Sequence, residues 1–309
     1  MEEAFMKDGK LIEQKEWETY IDGIRKEIEQ EQKETTLSEE QLKEQLKKDI
    51  INAIENRTDE KFAVFFSGGV DSAIIALICK QLDKKFSCYC SGFRTGQMES
   101  PKDPIVARKI AEELKLKLFE KEADIEEAEE IIKEVVKILP KPEIVDIQYV
   151  VNVGVAAVIY LALKLAKEKG DEKTFFSGLG SEEIFAGYLR HEEAEDKHEE
   201  CWSGLRKMWG RDLIRDTKIA EHFNINIATP FLDKNVIKTA MKIHIDRKIN
   251  NEHKKIILRE IAEELGLKHE FAWRRKQGAQ YGSKSVKLID RLKRKKGFKL
   301  KKEYLSSLL

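Results

Sequence analysis

Cysteine, proline and tryptophan are scarce in this chain of 309 residues, at 4, 5 and 4 residues. The cysteines, Cys79, Cys88, Cys90 and Cys201, are too few and too irregular for a disulfide framework, which points to a reducing compartment. Cys88 and Cys90 stand closer than a CxxC redox or zinc pair. At alternate positions of a strand they would line one sheet face. His191 and His253 are isolated, and no HExxH spacing exists. No apolar run approaches the roughly 18 residues that span a bilayer. The longest stretch, 150–166, is broken by Asn152 and Lys164. Glu2, Glu3, Lys7 and Asp8 replace the basic-then-apolar start of a secretion signal. These absences exclude a membrane partner and make the cytoplasm the expected location. Net charge is also missing, since 57 basic residues balance 57 acidic ones. Only local patches can then argue for nucleic acid. The abundance of Lys and Glu suggests many exposed helices or a warm-growing source.

What is present is α/β texture. Residues 1–58 read as a charged helical extension. Trp17, Tyr20, Ile21, Ile24 and Ile28 form one apolar stripe, and Leu42, Leu46, Ile50 and Ile54 form another. Ser38 is the candidate cap between them. From residue 59 onward the pattern changes. The run 62–66 is continuously apolar, as a strand buried on both faces requires. Further strands are expected at 86–91, 117–120 and 174–177, with helices at 73–82, 104–114, 125–139 and 150–169. Strand alternating with helix predicts a doubly wound parallel sheet. After about residue 188 the chain reads as mainly helical, with one extended piece at 225–231. Residues 59–309 are expected to form one domain.

Two glycine turns carry the chemistry. Ser67-Gly68-Gly69-Val70-Asp71-Ser72 lies between the first buried strand and a helix. The glycines allow a tight turn whose N–H groups converge, and the helix start adds partial positive charge. Ser67 and Ser72 offer hydroxyls to phosphate. Asp71 suits an anion site if it holds Mg²⁺. The bland alternative is an ordinary turn in which Asp71 and Ser72 serve as caps. No Lys follows, so this is not the G-x-x-x-x-G-K-[ST] loop. The hexapeptide resembles the SGGxDS signature of the PP-loop ATP pyrophosphatases, which cleave ATP between the α and β phosphates. This resemblance implies a PP-loop, HUP-like fold.

The second turn, Ser177-Gly178-Leu179-Gly180-Ser181-Glu182-Glu183-Ile184-Phe185-Ala186-Gly187-Tyr188, resembles the SGxGSDExFxGY segment of the asparagine synthetase C-terminal domain. Asp103–Ala107, Thr229-Pro230-Phe231-Leu232-Asp233, Lys255–Glu260 and Trp273-Arg274-Arg275-Lys276-Gln277 resemble further segments of that family, in the family's order, from about residue 45 to 285. The resemblance implies that Ser67, Gly68, Gly69, Asp71 and Ser72 bind the phosphates of ATP. Backbone at Ser91, Gly92 and Phe93 would read adenine, with Gly178 and Gly180 completing the nucleotide site. Asp71 and Glu182 would hold Mg²⁺, and Glu182 and Lys276 would be catalytic. A lysine facing the reacting phosphates is the expected electrostatic catalyst. Glu182 and Glu183 could equally offset a helix dipole.

Three departures stand out. Asparagine synthetases begin with a glutaminase domain whose nucleophile is a cysteine after the initiator Met, whereas position 2 here is Glu and only about 60 residues precede the loop. The expected nitrogen source is free ammonia, a separate glutaminase subunit or an amine substrate. Leu179 stands where asparagine synthetases carry Glu and β-lactam synthetases Tyr. The stretch 146–154 lacks the family's Thr and Arg, and Ala228 replaces its Arg before the PFLD segment. The expected function is a Mg-ATP-dependent ligase or amidotransferase that adenylates a small-molecule carboxylate, which ammonia or an amine then attacks. Two rivals are a tRNA-modifying enzyme, with RNA on the basic stretch 284–302, and an ATP-binding module without catalysis.

Overall fold

The computed structural model describes residues 2–34, 37–96, 100–275 and 278–309. A hairpin of β1 (Met6–Lys7) and β2 (Lys10–Leu11) leads into α1 (Gln14–Glu34) and α2 (Glu39–Glu55). Ser38 caps α2 through a capping box with Gln41. The central unit runs β3 (Phe62–Phe65), α3 (Val70–Gln81), β4 (Phe86–Phe93), α4 (Lys102–Glu113), β5 (Leu118–Ala123), α5 (Ile125–Ile138), α6 (Ile147–Lys169) and β6 (Thr174–Phe176). Then follow α7 (Ser181–Ile184), α8 (Leu189–Glu193), α9 (Lys197–Met208), a π-helical turn (Trp209–Leu213), α10 (Ile214–Phe223) and β7 (Asn226–Ala228). The chain ends with α11 (Lys234–Lys242), α12 (Ile256–Glu264), α13 (His269–Ala272), α14 (Ala279–Gly282), α15 (Ser285–Lys295) and α16 (Lys301–Ser306).

The five strands β3 to β7 are all parallel, in the order β5-β4-β3-β6-β7. The expected doubly wound sheet is therefore present, and the extended piece near 225–231 supplies its fifth strand. Successive strand residues face opposite layers. Phe62, Val64 and Phe66 join one apolar cluster with α2, α3 and α12, while Ala63 joins a second with α5, α6 and α10. Cys88 and Cys90 share the first cluster with Cys79, so they do line one face, buried and outside any disulfide. Burial pushes the Cys79 thiol up to about 12, which leaves it inert.

Helix α6 is longer than its sequence stretch suggested. It has the length and hydropathy of a membrane span, but 61% of that window is buried inside the protein. It packs on β4 and β5 beneath α10 and α15, as an apolar helix in a two-layer core should. The N-terminal helices share the first core cluster: Trp17, Ile21, Ile24 and Ile28 of α1 are buried in it, and Trp17 Nε1 donates to the Leu205 carbonyl at 2.8 Å. Glu3 and Arg57 form a buried ion pair at 2.8 Å. Glu3 also accepts from Thr229 N and Oγ1, tying the chain's start to the segment after β7.

The chain crosses from one half of the sheet to the other between β3 and β6. In open parallel sheets the crevice at such a switch point binds ligands at the strands' carboxyl ends. Phe65 pairs with Tyr89 and Val64 with Phe176. Two residues beyond the first pair are Ser67 and Ser91, and three beyond the second are Ser67 and Leu179. Register alone sets both glycine turns at one level of that edge.

Candidate active site

The turn after β3 needs its glycines for space. Gly68 has φ +67°, and a Cβ there would come within 3.0 Å of the Ala107 backbone nitrogen. Gly69 accepts from Ser72 Oγ at 3.1 Å and caps α3, whose first N–H groups open toward the crevice. Gly69 N donates to Ser67 Oγ at 3.4 Å, and the turn after β6 repeats that bond, with Leu179 N donating to Ser177 Oγ at 3.3 Å.

Lys255 joins the two turns. It comes from the start of α12, with φ 56° and 5% exposure. Its Nζ lies 2.8 and 2.9 Å from the two Asp71 oxygens, 2.8 Å from Glu182 Oε1 and 3.1 Å from Ser181 Oγ. Burial works against the ammonium, but Asp71 and Glu182 outweigh it and raise its pKa. Gly187 makes room for this cluster, because a Cβ there would meet Glu182 Oε2 at 1.8 Å and Lys255 Cε at 2.5 Å.

Two cavities meet at this cluster. The smaller, about 150 Å³, is strongly charged, with Lys254, Lys255, Arg259, Arg274 and Arg275 set against Asp71, Glu182, Glu192 and Glu252 on its walls, beside Gly68 and Gly69. Arg274 Nη2 donates to the Gly68 carbonyl at 3.2 Å, while its buried Nε has no partner among the described residues. A guanidinium held at a glycine loop on the cavity wall suits a phosphate. Arg259 donates to the carbonyls of Lys254, Ala272 and Arg274, holding that segment in place. Trp273 Nε1 donates to Glu263 at 2.8 Å and fixes the segment to α12.

The larger cavity, about 310 Å³, is apolar along α6, at Val155, Val158, Ile159 and Ala162. Ser67, Ser72, Ser91, Gly178, Tyr188, Asp212, Arg215 and Asp216 also line it. Ser91 Oγ donates to the Val158 carbonyl at 2.7 Å.

Most of the residues expected at the site converge. Asp71 and Glu182 line both cavities, Gly68 and Gly69 the smaller one, and Ser67, Ser72, Ser91 and Gly178 the apolar one. Gly92 and Phe93 stay outside. Pro101 covers Gly92, where a Cβ would approach its ring to 2.5 Å, and Phe93 N donates to the Ser283 carbonyl at 2.9 Å. Gly180, at φ +94°, shapes its turn against Leu232 and lines neither cavity. Lys276 lies outside the described residues. Lys255, Arg259 and Arg274 had no assigned role in the sequence reading, although their segments stood out.

A family model for asparagine synthase matches residues 41–202 and 190–296. The chain belongs to the asparagine synthase family. A Methanocaldococcus jannaschii protein named "Putative asparagine synthetase [glutamine-hydrolyzing] 1" is 30% identical over 88% of this chain and 55% of its own length. The human asparagine synthetase (glutamine-hydrolyzing) is 30% identical over 76% of this chain and 42% of its own. The chain thus spans about half the length of these relatives. Among solved structures, NMN synthetase from Francisella tularensis is similar at 12% identity and a TM-score of 0.34, covering 79% of this chain and all of that one. The ammonia-dependent NAD synthetase of Campylobacter jejuni is similar at 18% identity and a TM-score of 0.32, covering 49% and 61%.

Within the asparagine synthase family framework, the basic stretch 284–302 becomes α15 and its surroundings. Leu288, Ile289 and Leu292 are buried, Lys295 and Lys296 pair with Glu126 and Glu129 of α5, and Arg294 pairs with Asp290. Much of its charge is therefore spent within the fold. Leu179, half-buried, lines the larger cavity and brings no titratable group to it.

Proposed function

We propose that this chain is a Mg-ATP-dependent ligase of asparagine synthetase type, which activates a small-molecule carboxylate as its adenylate and passes it to ammonia or an amine. The observation that carries this reading is the Asp71–Lys255–Glu182 cluster, standing where a strongly charged cavity meets an apolar one. The apolar cavity suits the adenosine and the acceptor, and Lys255, Arg259 and Arg274 beside the Gly68-Gly69 turn suit pyrophosphate. A carboxylate oxygen attacks the α-phosphorus while the bond to the β-phosphate oxygen breaks. Lys255 and Arg274 offset the charge that gathers on the leaving group. The nitrogen nucleophile then forms a C–N bond, and AMP departs with the former carboxylate oxygen. Lys276, three residues beyond Trp273, is proposed to act with Lys255.

Asp71 and Glu182 fit magnesium. Both offer hard oxygens, and Lys255 holds the two carboxylates side by side. Bound there with phosphate oxygens, the ion would supply charge neutralisation. The nitrogen would come from free ammonia, a separate glutaminase subunit or the amine of a substrate.

The test is exchange of labelled pyrophosphate into ATP, screened over aspartate, other small carboxylates and bulk tRNA. Lys255→Ala should lower exchange by about a hundredfold or more. Lys61→Ala, which removes an exposed pair with Asp171 at the opposite sheet edge, should leave it unchanged. No exchange with any acceptor, or equal exchange by Lys255→Ala, would sink the reading. Stimulation by tRNA alone would replace it with the RNA-modifying one.

A further inference from the structure

An ion network beside the larger cavity is one positive charge short. Arg190 pairs with Glu200 at 2.7 Å and stands 3.7 Å from Glu183. Arg211 pairs with Glu183 and, at 2.6 Å, with Asp212. Arg215 pairs with Asp212 at 2.9 Å and Asp216 at 2.6 Å. Four carboxylates thus meet three guanidiniums, and no further ion pair joins them among the described residues. The π-helical turn Trp209–Leu213 supplies Arg211 and Asp212, and such turns recur at functional sites.

The deficit is felt at the cavity wall. Asp216 is only 5% exposed, and its Oδ1 accepts from Arg215 Nε. Its Oδ2 has no partner among the described residues, yet it is not among the sealed orphan atoms. Asp216 lines the cavity, so that oxygen has access to it. The facing α6 wall brings Val155, Val158, Ile159 and Ala162 and no charge, Leu179 adds none, and Asp71, Asp103 and Glu182 make the remaining charged lining acidic. A desolvated carboxylate oxygen in an electron-rich network attracts a cation. Burial raises the pKa of Asp216.

We propose that Asp216, clamped by Arg215, receives the nitrogen nucleophile as an ammonium group and takes one proton from it. An N–H bond breaks and its proton goes to Asp216 Oδ2; the freed lone pair attacks the activated acyl carbon, the bond from that carbon to the AMP oxygen breaks, and the departing AMP phosphate takes the second proton that the new C–N nitrogen sheds. Asp216 would thus supply, from α10, the base that Leu179 cannot. This assignment rests on the adenylation reading for its chemistry, but the cation site can be tested apart from it.

Calorimetry on the full chain, at constant ionic strength, would compare ammonium, methylammonium and n-butylammonium chlorides with potassium chloride and sodium butyrate. At least one ammonium salt should bind, and potassium and butyrate should not. Asp216→Asn keeps the Oδ1 acceptor for Arg215 and should weaken ammonium binding about tenfold or more. Leu179→Lys, which carries an ammonium into the cavity on its own side chain, should also abolish it, and it decides the matter if Asp216→Asn fails to fold. Tighter binding of ammonium itself would identify free ammonia as the nucleophile. Tighter binding of butylammonium would identify an amine-bearing molecule. The proposal is overturned if no ammonium salt binds, if butyrate or potassium binds as well, if folded Asp216→Asn binds like wild type, or, where that variant does not fold, if Leu179→Lys binds like wild type. Ammonium binding without pyrophosphate exchange would instead sink the adenylation reading and leave the site standing.

Discussion

Gly187 lacks a side chain where two others use its space. Its virtual Cβ collides only with the far ends of Glu182 and Lys255, not with backbone. Gly187→Ala should therefore fold, with a melting temperature within a few degrees of wild type, while the displaced carboxylate and ammonium lose their geometry. Pyrophosphate exchange should fall about tenfold or more, since small misplacements at reacting centres are costly. A variant that loses stability and exchange together would mean that Gly187 serves the fold alone. Residues on the two glycine turns were legible because turn chemistry is local: glycine, serine and aspartate at fixed offsets after a strand. Lys255 was not legible as a site residue, because it reaches Asp71 across 184 positions of chain, through a left-handed backbone that no pattern announces. Gly92 and Phe93 were placed at the nucleotide by resemblance. The Pro101 ring and the Ser283 carbonyl, both brought from elsewhere, occupy the positions that would have exposed them.

At the scale of elements, hydrophobic period revealed the central unit well. The apolar runs at 62–66 and 174–177 became β3 and β6, and the stripe from Trp17 to Ile28 became the buried face of α1. Elements without a period were missed. The β1–β2 hairpin has two residues per strand, and the π-helical turn has no repeat of its own. Nor could the stripe say what α1 would cover, since that depends on residues near 205 folding back on it. Trp17 measures the strength of that contact. It is fully buried, and its indole donates to Leu205. Trp17→Ala should cost about 3–5 kcal/mol of unfolding free energy, through lost burial and a residual cavity. The midpoint of urea unfolding, with an unchanged slope, would report it. A loss below about 1 kcal/mol would mean that α1 is a peripheral attachment. Wild-type exchange by folded Trp17→Ala in dilute buffer would show that α1 supports the site only through stability.

For the whole molecule, balanced charge hides specific acid sensitivity. Many surface carboxylates are paired, as Glu31 is with Lys238 and Lys242, and they lose that support only below the ordinary glutamate range. His191 acts earlier. It is fully buried between Tyr188 and the Arg190 side of the ion network. Its Nδ1 accepts from Tyr188 N at 3.1 Å, and its Nε2 is sealed without a partner. Burial, reinforced by Arg190 and Lys254, lowers its pKa to about 3 from an ordinary value near 6.5. The unfolded chain therefore takes up a proton near pH 6.5 that the folded chain refuses. The stability due to neutral His191 is complete above that pH and drains as pH falls toward 3. Between pH 6.5 and 5 the loss is about 2 kcal/mol, from roughly 1.4 kcal/mol per pH unit. Other groups titrate in the same window, Glu183 with the opposite sign because its folded pKa is raised, so wild type alone cannot isolate the effect. His191→Gln can, since every other group cancels in the difference. Urea unfolding at pH 7.5, 6.5, 5.5 and 5 should show the wild-type advantage over His191→Gln shrinking by about that amount as pH falls. A pH-independent difference would mean that protonated His191 finds a partner inside the fold, and that the network beside it has already drawn in the positive charge it lacks.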